Sequence, residues 1–106
     1  MQNKVEEAKN VLIGNRKNGY TLPTNNKLYP DQWTWDSAFI ALGYSYFNLD
    51  FSITEIETLL NGQWDDGMVA HILFHDKDTS YFPNHTTWKC GKNIPSSGIT
   101  LSLIHI

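Results

Sequence analysis

The segment from Trp33 to Phe47 constrains the fold of this 106-residue chain more than any other. It reads W-T-W-D-S-A-F-I-A-L-G-Y-S-Y-F, and as a helix it would carry apolar side chains on every side. Such a helix has to be surrounded by protein, whereas a chain of this length buries only one modest core. The segment therefore predicts a helix that this chain cannot cover, which indicates part of a larger structure.

Amphipathic helices are predicted on both sides of this segment. The first runs from Asn3 to about Arg16, with apolar residues on one face and charged residues largely off it. The other opens at Ser52, where Glu55 completes a capping-box pattern, and ends near Asn61–Gly62. Half-exposed helices alternating with a fully buried one are typical of a two-layer helical ring, so the predicted class is all-α. The buried stripe predicted for the third helix is Ile53, Ile56, Leu59 and Leu60.

Loops separate and follow these helices. The Asn25–Asn26 pair lies in the first loop, and Asp31 is predicted to be the N-cap of the central helix. Beyond Gln63 we expect mostly loop, with Met68 to Phe74 as a short extended segment. The long aromatic loop from residue 80 to 88 is open to two interpretations, a hydrophobic plug over the core or a pocket wall.

Composition narrows the possible partners and the location. The formal net charge is −3, so the chain is not basic enough to favour nucleic acid or an anionic membrane. The longest apolar run, near Ala38 to Leu42, is too short to span a bilayer. Cys90 is the single cysteine, which excludes an internal disulfide bond. The N-terminal residues lack an apolar signal region, so we expect a cytoplasmic protein.

Asp36 is the most informative candidate for chemistry. An acid in the first turn of a helix is often stabilised only by the helix dipole. Here Trp33 precedes it by three residues and would share its helical face, while Tyr29 lies just before the Pro30 turn. A carboxylate beside an indole offers an acceptor for sugar hydroxyls and an apolar plate for the C–H face of the sugar. Both interpretations, a saccharide subsite and a structural helix start, stay open, and Trp35 is expected to point elsewhere.

Two other clusters are weaker candidates. Adjacent acids at Asp65–Asp66 form a turn with Gly67 and cannot flank a scissile bond from opposite faces, because inverting glycosidases separate their carboxyl groups by roughly 6.5–9.5 Å. His71 and His75 are four residues apart, but no third ligand lies at a suitable spacing, so no metal site is predicted. His71 is expected to line a polar core or a pocket.

Four pieces of sequence, in order, resemble a known family. They are Y-P-D-Q-W-T-W-D-S-A-F (29–39), L-L-N-G-Q-W-D-D-G-M-V-A-H (59–71), Y-F-P (81–83) and S-S-G-I-T (96–100). Together they resemble the mannosylglycerate and glucosylglycerate hydrolases of glycoside hydrolase family 63, over about residues 5–100. The resemblance implies an (α/α)6 toroid, of which residues 1–106 would be the truncated N-terminal part of a single catalytic domain.

The same resemblance implies roles for five residues. Tyr29, Trp33, Trp35 and Asp36 match family positions that line the sugar subsite, and Tyr81 matches an aromatic residue on the loop that closes over the substrate. Asp36 would hold sugar hydroxyls by charge-assisted hydrogen bonds. The family's general-acid Asp and general-base Glu lie downstream, so no catalytic residue is assigned here and the isolated chain is expected to be inactive. The implied substrate is a small carbohydrate, with no cofactor and no metal.

The end of the chain departs from the family pattern. After S-G-I-T the family usually continues with Gln-Pro-Pro, whereas residues 101–106 read L-S-L-I-H-I, which resembles a read-through artefact. Two alternatives remain. A trehalase-like fragment would be expected to show Gly-Gly-Arg-Phe where this chain has residues 26–30, and a stand-alone helical sugar-binding module would leave the central helix uncovered.

Overall fold

A computed structural model describes residues 2–24 and 28–100, so the predicted loop at Asn25–Asn26 and the tail 101–106 lie outside the described residues. Within these ranges, no helix is long and apolar enough to cross a membrane. The elements in chain order are α1 (Gln2–Gly14), β1 (Gln32–Trp33), α2 (Thr34–Tyr44), α3 (Leu49–Leu60), β2 (Ile72–Leu73) and α4 (His85–Trp88).

The central helix begins where an extended strand ends. Trp33 is the N-cap of α2, with φ −102° and ψ 133°, and no side chain caps the helix there. The prediction that Asp31 is the N-cap is therefore wrong: Asp31 lies before β1 and is fully buried. Trp33 is extended and not helical. The prediction that Trp33 and Asp36 share a helical face, which assumes a helix over both residues, therefore does not apply.

The third helix starts earlier than predicted. Its N-cap is Asn48, whose side chain accepts a hydrogen bond from the Phe51 amide, so α3 begins three residues before Ser52. Ser52 instead donates to the Ala41 carbonyl of α2, which ties the two helices together. The capping-box prediction is wrong because Asn48 caps the helix at an earlier position, which leaves Ser52 and Glu55 inside the helix.

The outer face of α2 is uncovered, as the sequence predicts. Four large apolar or aromatic side chains of α2 and the turn after it are at least half exposed, with Tyr46 reaching 83%. Of the predicted stripe on α3, only Leu59 is fully buried. The uncovered side chains are Trp35, Phe39, Leu42 and Tyr46, which we call the apolar face.

The strands form a minimal antiparallel sheet. Gln32 pairs with Leu73 and Trp33 with Ile72, which confirms an extended segment between Met68 and Phe74. Residues 95–99 lie alongside the second strand, since backbone hydrogen bonds link them to residues 71, 72 and 74. The described chain is thus helix-rich with few strands, so the all-α prediction holds only at the level of a mainly helical protein.

Candidate functional site

Three of the predicted site residues come together in one aromatic cluster. The ring centroids of Trp33 and Tyr81 are 5.1 Å apart at 89°, and those of Tyr29 and Trp33 are 5.5 Å apart at 81°. Tyr29 and Tyr81 are 5.9 Å apart, which closes the triangle. Trp33 is only 7% exposed, whereas Tyr29 is 38% exposed. Trp33 is therefore the base of the cluster, and the two tyrosines are its more accessible rim.

Separate parts of the chain build this cluster. The first strand packs the Trp33 indole against Ile72 and Phe74 of the neighbouring segment. Tyr81 is delivered by the loop after the second strand, and Asn84 closes that loop by donating to the Thr79 carbonyl. Of the two interpretations of this loop, the structure supports packing over the core, since Tyr81 contacts the core cluster and is partly exposed, and the pocket wall stays a prediction.

Asp36 and His71 lie close enough to affect each other's ionisation. The antiparallel register sets His71 opposite the start of α2, where the Thr34 amide donates to the His71 carbonyl over 2.9 Å. Burial raises the pKa of Asp36 and the His71 ring opposes that change, while burial lowers the pKa of His71 and Asp36 opposes it. Among the described residues, the buried His71 Nδ1 has no hydrogen-bond partner. Of this pair, the partly exposed Asp36 carboxylate is the group that can accept hydrogen bonds from a ligand.

Trp35 does not join this group. Its side chain is 50% exposed and makes an edge contact with Phe39, at 5.1 Å between ring centroids. It points away from the cluster, as the residue pattern predicts, but into the open apolar face rather than into a core.

A buried polar network lies behind Trp33 and Asp36, and sequence reasoning missed it. Glu55 is 1% exposed, and its Oε2 accepts from Ser37 Oγ at 2.6 Å. The same oxygen accepts from Gln32 Nε2 at 3.2 Å and from the Thr21 amide at 3.3 Å. Gln32 extends the network through its Oε1, which is 2.8 Å from His75 Nε2. Glu55 was visible in the sequence only as the acid of a capping box, which is the wrong role.

A second buried acid has no such donors. Asp31 is fully buried, and neither carboxyl oxygen has a hydrogen-bond partner among the described residues. Burial, together with Asp78 and Asp76, raises the pKa of Asp31 to about 7. Nearby, a polar cavity of about 310 Å³ is lined by Arg16, Lys17, Asn18, Tyr20 and Asp76.

The remaining candidates behave as ordinary surface groups. Asp65 forms an exposed ion pair with Lys92 at 3.0 Å, and Asp66 accepts from the Met68 amide, so this turn does not pair two acids across a cleft. Within residues 2–24 and 28–100, no group of three or more His, Cys, Asp or Glu side chains is arranged to hold a metal ion.

Comparison with known proteins gives the family. The model of the mannosylglycerate hydrolase MGH1-like glycoside hydrolase domain matches residues 29–106. The chain therefore belongs to this family of glycoside hydrolases.

Named relatives agree with this assignment. Mannosylglycerate hydrolase MGH2 of Selaginella moellendorffii is 40% identical over 97 residues, which cover 91% of this chain and 20% of the relative. Glucosylglycerate hydrolase of Mycolicibacterium hassiacum is 36% identical over 85 residues, covering 74% and 19%. The crystal structure of the GH63 mannosylglycerate hydrolase from Thermus thermophilus with Tris superposes with a TM-score of 0.82 at 41% identity, covering 90% and 22%. The chain thus spans about a fifth of the length of these proteins.

Proposed function

We propose that the chain is the N-terminal part of the catalytic domain of an inverting α-glycoside hydrolase. Its substrate would be glucosylglycerate, mannosylglycerate or a related small α-glucoside or α-mannoside. The observation that supports this most directly is the aromatic cluster of Tyr29, Trp33 and Tyr81, whose base, Trp33, lies three residues before Asp36 at the start of α2. Aromatic rings and a partly exposed carboxylate carried by one short segment suit a sugar, which presents C–H faces and hydroxyl groups together.

In this proposal the residues of the chain bind and orient the sugar. Asp36 accepts hydrogen bonds from sugar hydroxyls, which a charged acceptor makes stronger than a neutral one does. Tyr29 and Tyr81 contact the apolar face of the sugar, supported from below by Trp33, and Trp35 contributes a wall from the apolar face. An oxocarbenium-like transition state needs a carboxylic acid and a carboxylate on opposite sides of the sugar. We place both outside residues 1–106, so the isolated chain is expected to hydrolyse nothing.

The apolar face of α2 fits an (α/α)6 toroid. Exposed patches of this kind mark surfaces that another protein segment covers. We propose that later helices of the same catalytic domain cover Phe39, Leu42 and Tyr46, whereas Trp35 stays open to the sugar. A cytoplasmic location, without membrane or nucleic-acid partners, completes the proposal on the basis of composition.

A chimaera tests the function. Residues 2–100 would replace the matching segment of the Thermus thermophilus mannosylglycerate hydrolase, which supplies the rest of the domain, and kcat/KM would be measured on mannosylglycerate, glucosylglycerate and trehalose. Asp36→Ala is expected to lower kcat/KM on the glycerate sugars by at least ~10²-fold, because it removes contacts that strengthen in the transition state. Asp50→Ala, at an exposed position of α3, is the matched control.

The outcomes separate the alternatives. A folded chimaera without any activity would contradict the proposed function of this segment, and preferred turnover of trehalose would favour the trehalase-like alternative. Parent-like kinetics of Asp36→Ala would return Asp36 to a purely structural role at the helix start. Turnover by the isolated chain would contradict the placement of the acid and base.

A further inference from the structure

The buried network around Glu55 is attached to the sugar site at both ends of one short segment. Gln32 immediately precedes Trp33, and Ser37 immediately follows Asp36. The side chains of Gln32 and Ser37 both end on the same carboxylate oxygen of Glu55, at 3.2 Å and 2.6 Å. Segment 32–37, which carries the base of the aromatic cluster and the candidate sugar-binding acid, is therefore fixed from behind by one residue of α3.

The network also extends to the loop that carries Tyr81. The Gln32 amide nitrogen faces Ser37 Oγ, the Glu55 carbonyl and the Glu55 carboxylate, so its Oε1 is the atom that faces His75. His75 Nε2 accordingly donates to Gln32 Oε1 over 2.8 Å. His75 stands at the start of the loop that carries Tyr81. A single chain of hydrogen bonds thus links α3, the first strand, the start of α2 and this loop.

Helix packing alone does not require a carboxylate at this place. Burying an ionisable group is costly unless donors surround it, whereas an apolar side chain of similar size would join α2 and α3 without that cost. Burial does raise the pKa of Glu55, and donors from Ser37, Thr21 and Gln32 oppose the change. What the carboxylate adds over an apolar residue is direction, because its hydrogen bonds hold Gln32 and Ser37 in one orientation each.

We propose that Glu55 is a positioning residue for the sugar site, which it orders through Gln32, Ser37 and His75 without touching the sugar. That the site binds a sugar rests on the function proposed above, whereas the ordering of segment 32–37 by Glu55 does not depend on it. Loss of this support displaces Trp33 and Asp36 relative to Tyr81, and a misplacement of about 1 Å in a binding constellation can cost on the order of 10²-fold in rate.

Two variants of Glu55 and one control separate positioning from simple stability. Glu55→Leu removes the acceptor, and Glu55→Gln keeps an oxygen that Ser37, Gln32 and Thr21 can all reach. Tyr44→Phe removes a buried hydroxyl that contacts Thr21 and the Leu12 carbonyl, at the far end of α2 from Asp36. In the chimaera, well below the melting temperature of every variant, Glu55→Leu should lower kcat/KM on the order of 10²-fold. Glu55→Gln should recover at least about tenfold of this loss, and Tyr44→Phe should match the parent.

A milder variant and a structural measurement keep the test decisive. Ser37→Ala, which removes one donor, should lower kcat/KM by about tenfold, as expected for one buried hydrogen bond, and serves if Glu55→Leu does not fold. In the isolated chain, Glu55→Leu or Ser37→Ala should accelerate amide hydrogen exchange at residues 33–37 more than at residues 41–44, and Tyr44→Phe should do the reverse.

Each result bears on the proposal. If the Glu55 variants lose stability but keep parent kcat/KM, or if exchange increases equally along α2, positioning by Glu55 is overturned. If the parent chimaera is inactive while exchange changes only at residues 33–37, the glycosidase function fails and the positioning of the segment stands.

Discussion

Two buried carboxylates, 24 positions apart in the sequence, differ in their hydrogen bonding. Glu55 and Asp31 are 1% and 0% exposed, yet Glu55 accepts three hydrogen bonds through one oxygen, whereas Asp31 has none among the described residues. Burial raises the pKa of both, but donors oppose the change at Glu55, while Asp76 and Asp78 add to it at Asp31. Hydrogen-bond donors, more than depth, therefore decide how easily each acid keeps its charge.

The largest decrease in the free energy of unfolding is expected at Glu55, the acid that accepts hydrogen bonds. In the isolated chain, Glu55→Leu should lower the free energy of unfolding by roughly 3 kcal/mol or more, because each buried donor left without an acceptor costs about 1–3 kcal/mol. Urea denaturation at pH 7 measures this change. Glu57→Leu, the same substitution at an exposed position of the same helix, should stay within about 0.5 kcal/mol of the parent. Equal effects of the two variants would mean that the Glu55 network contributes nothing to stability.

The second effect concerns Asp31, whose contribution to the free energy of unfolding depends on pH. The pKa of Asp31 rises on folding from 3.8 to about 7, so its folded state prefers the neutral form. The contribution of the neutral Asp31 carboxyl to the free energy of unfolding is complete below about pH 4 and is lost as the pH rises through 7. Asp31→Asn removes this loss, so relative to the parent it should gain on the order of 4 kcal/mol between pH 4 and pH 8. Denaturation curves at both values measure the gain, and the exposed Asp50→Asn should show none of comparable size.

How far the sequence predicts this structure depends on the range of the interaction. The first three helices follow from local periodicity, and α1 and α2 lie within about two or three residues of their predicted bounds, whereas α4 lies in the segment predicted as an aromatic loop. The role of Glu55 was missed because S-x-x-E satisfies a local pattern, and only the structure shows that Asn48 caps α3 instead. From the sequence alone, a capping role for Glu55 cannot be distinguished from a role in a buried hydrogen-bond network, because the choice depends on which segments pack against α3.

The candidate site shows the same limit. Tyr29, Trp33 and Tyr81 were singled out from aromatic residues in loops and from the family resemblance, but their mutual contacts depend on a strand pair of only two residues each. Register is not encoded in so short a pattern, so the placement of His71 opposite the start of α2 was not foreseen. The proximity of His71 to Asp36 depends on that register.

A third, smaller effect tests the hydrogen bonds that join the C-terminal end of α2 to Thr21 and α1. Tyr44→Phe should lower the free energy of unfolding by about 1–2 kcal/mol, because the fully buried hydroxyl contacts Thr21 Oγ1 at 2.9 Å and the Leu12 carbonyl at 3.0 Å. Tyr46→Phe removes the same hydroxyl from a side chain that is 83% exposed and should change little. If the two substitutions cost the same, the link from α2 to α1 through Tyr44 has no energetic weight.

The smallest effect compares the two acids directly, through the same change from carboxylate to amide. Glu55→Gln keeps the shape and an acceptor oxygen, so the free energy of unfolding at pH 7 should change by less than about 1 kcal/mol. The pKa of Glu55 is raised by burial, so its charge also costs stability as the pH rises above its ordinary value of 4.5, and the amide should relieve that cost. Because Ser37, Thr21 and Gln32 stabilise the charged form, the gain between pH 4 and pH 8 should be smaller than for Asp31→Asn. Paired denaturation series at the two pH values decide the matter: an equal or larger gain at Glu55 would mean that the donors do not compensate its burial, and the contrast between the two acids would disappear.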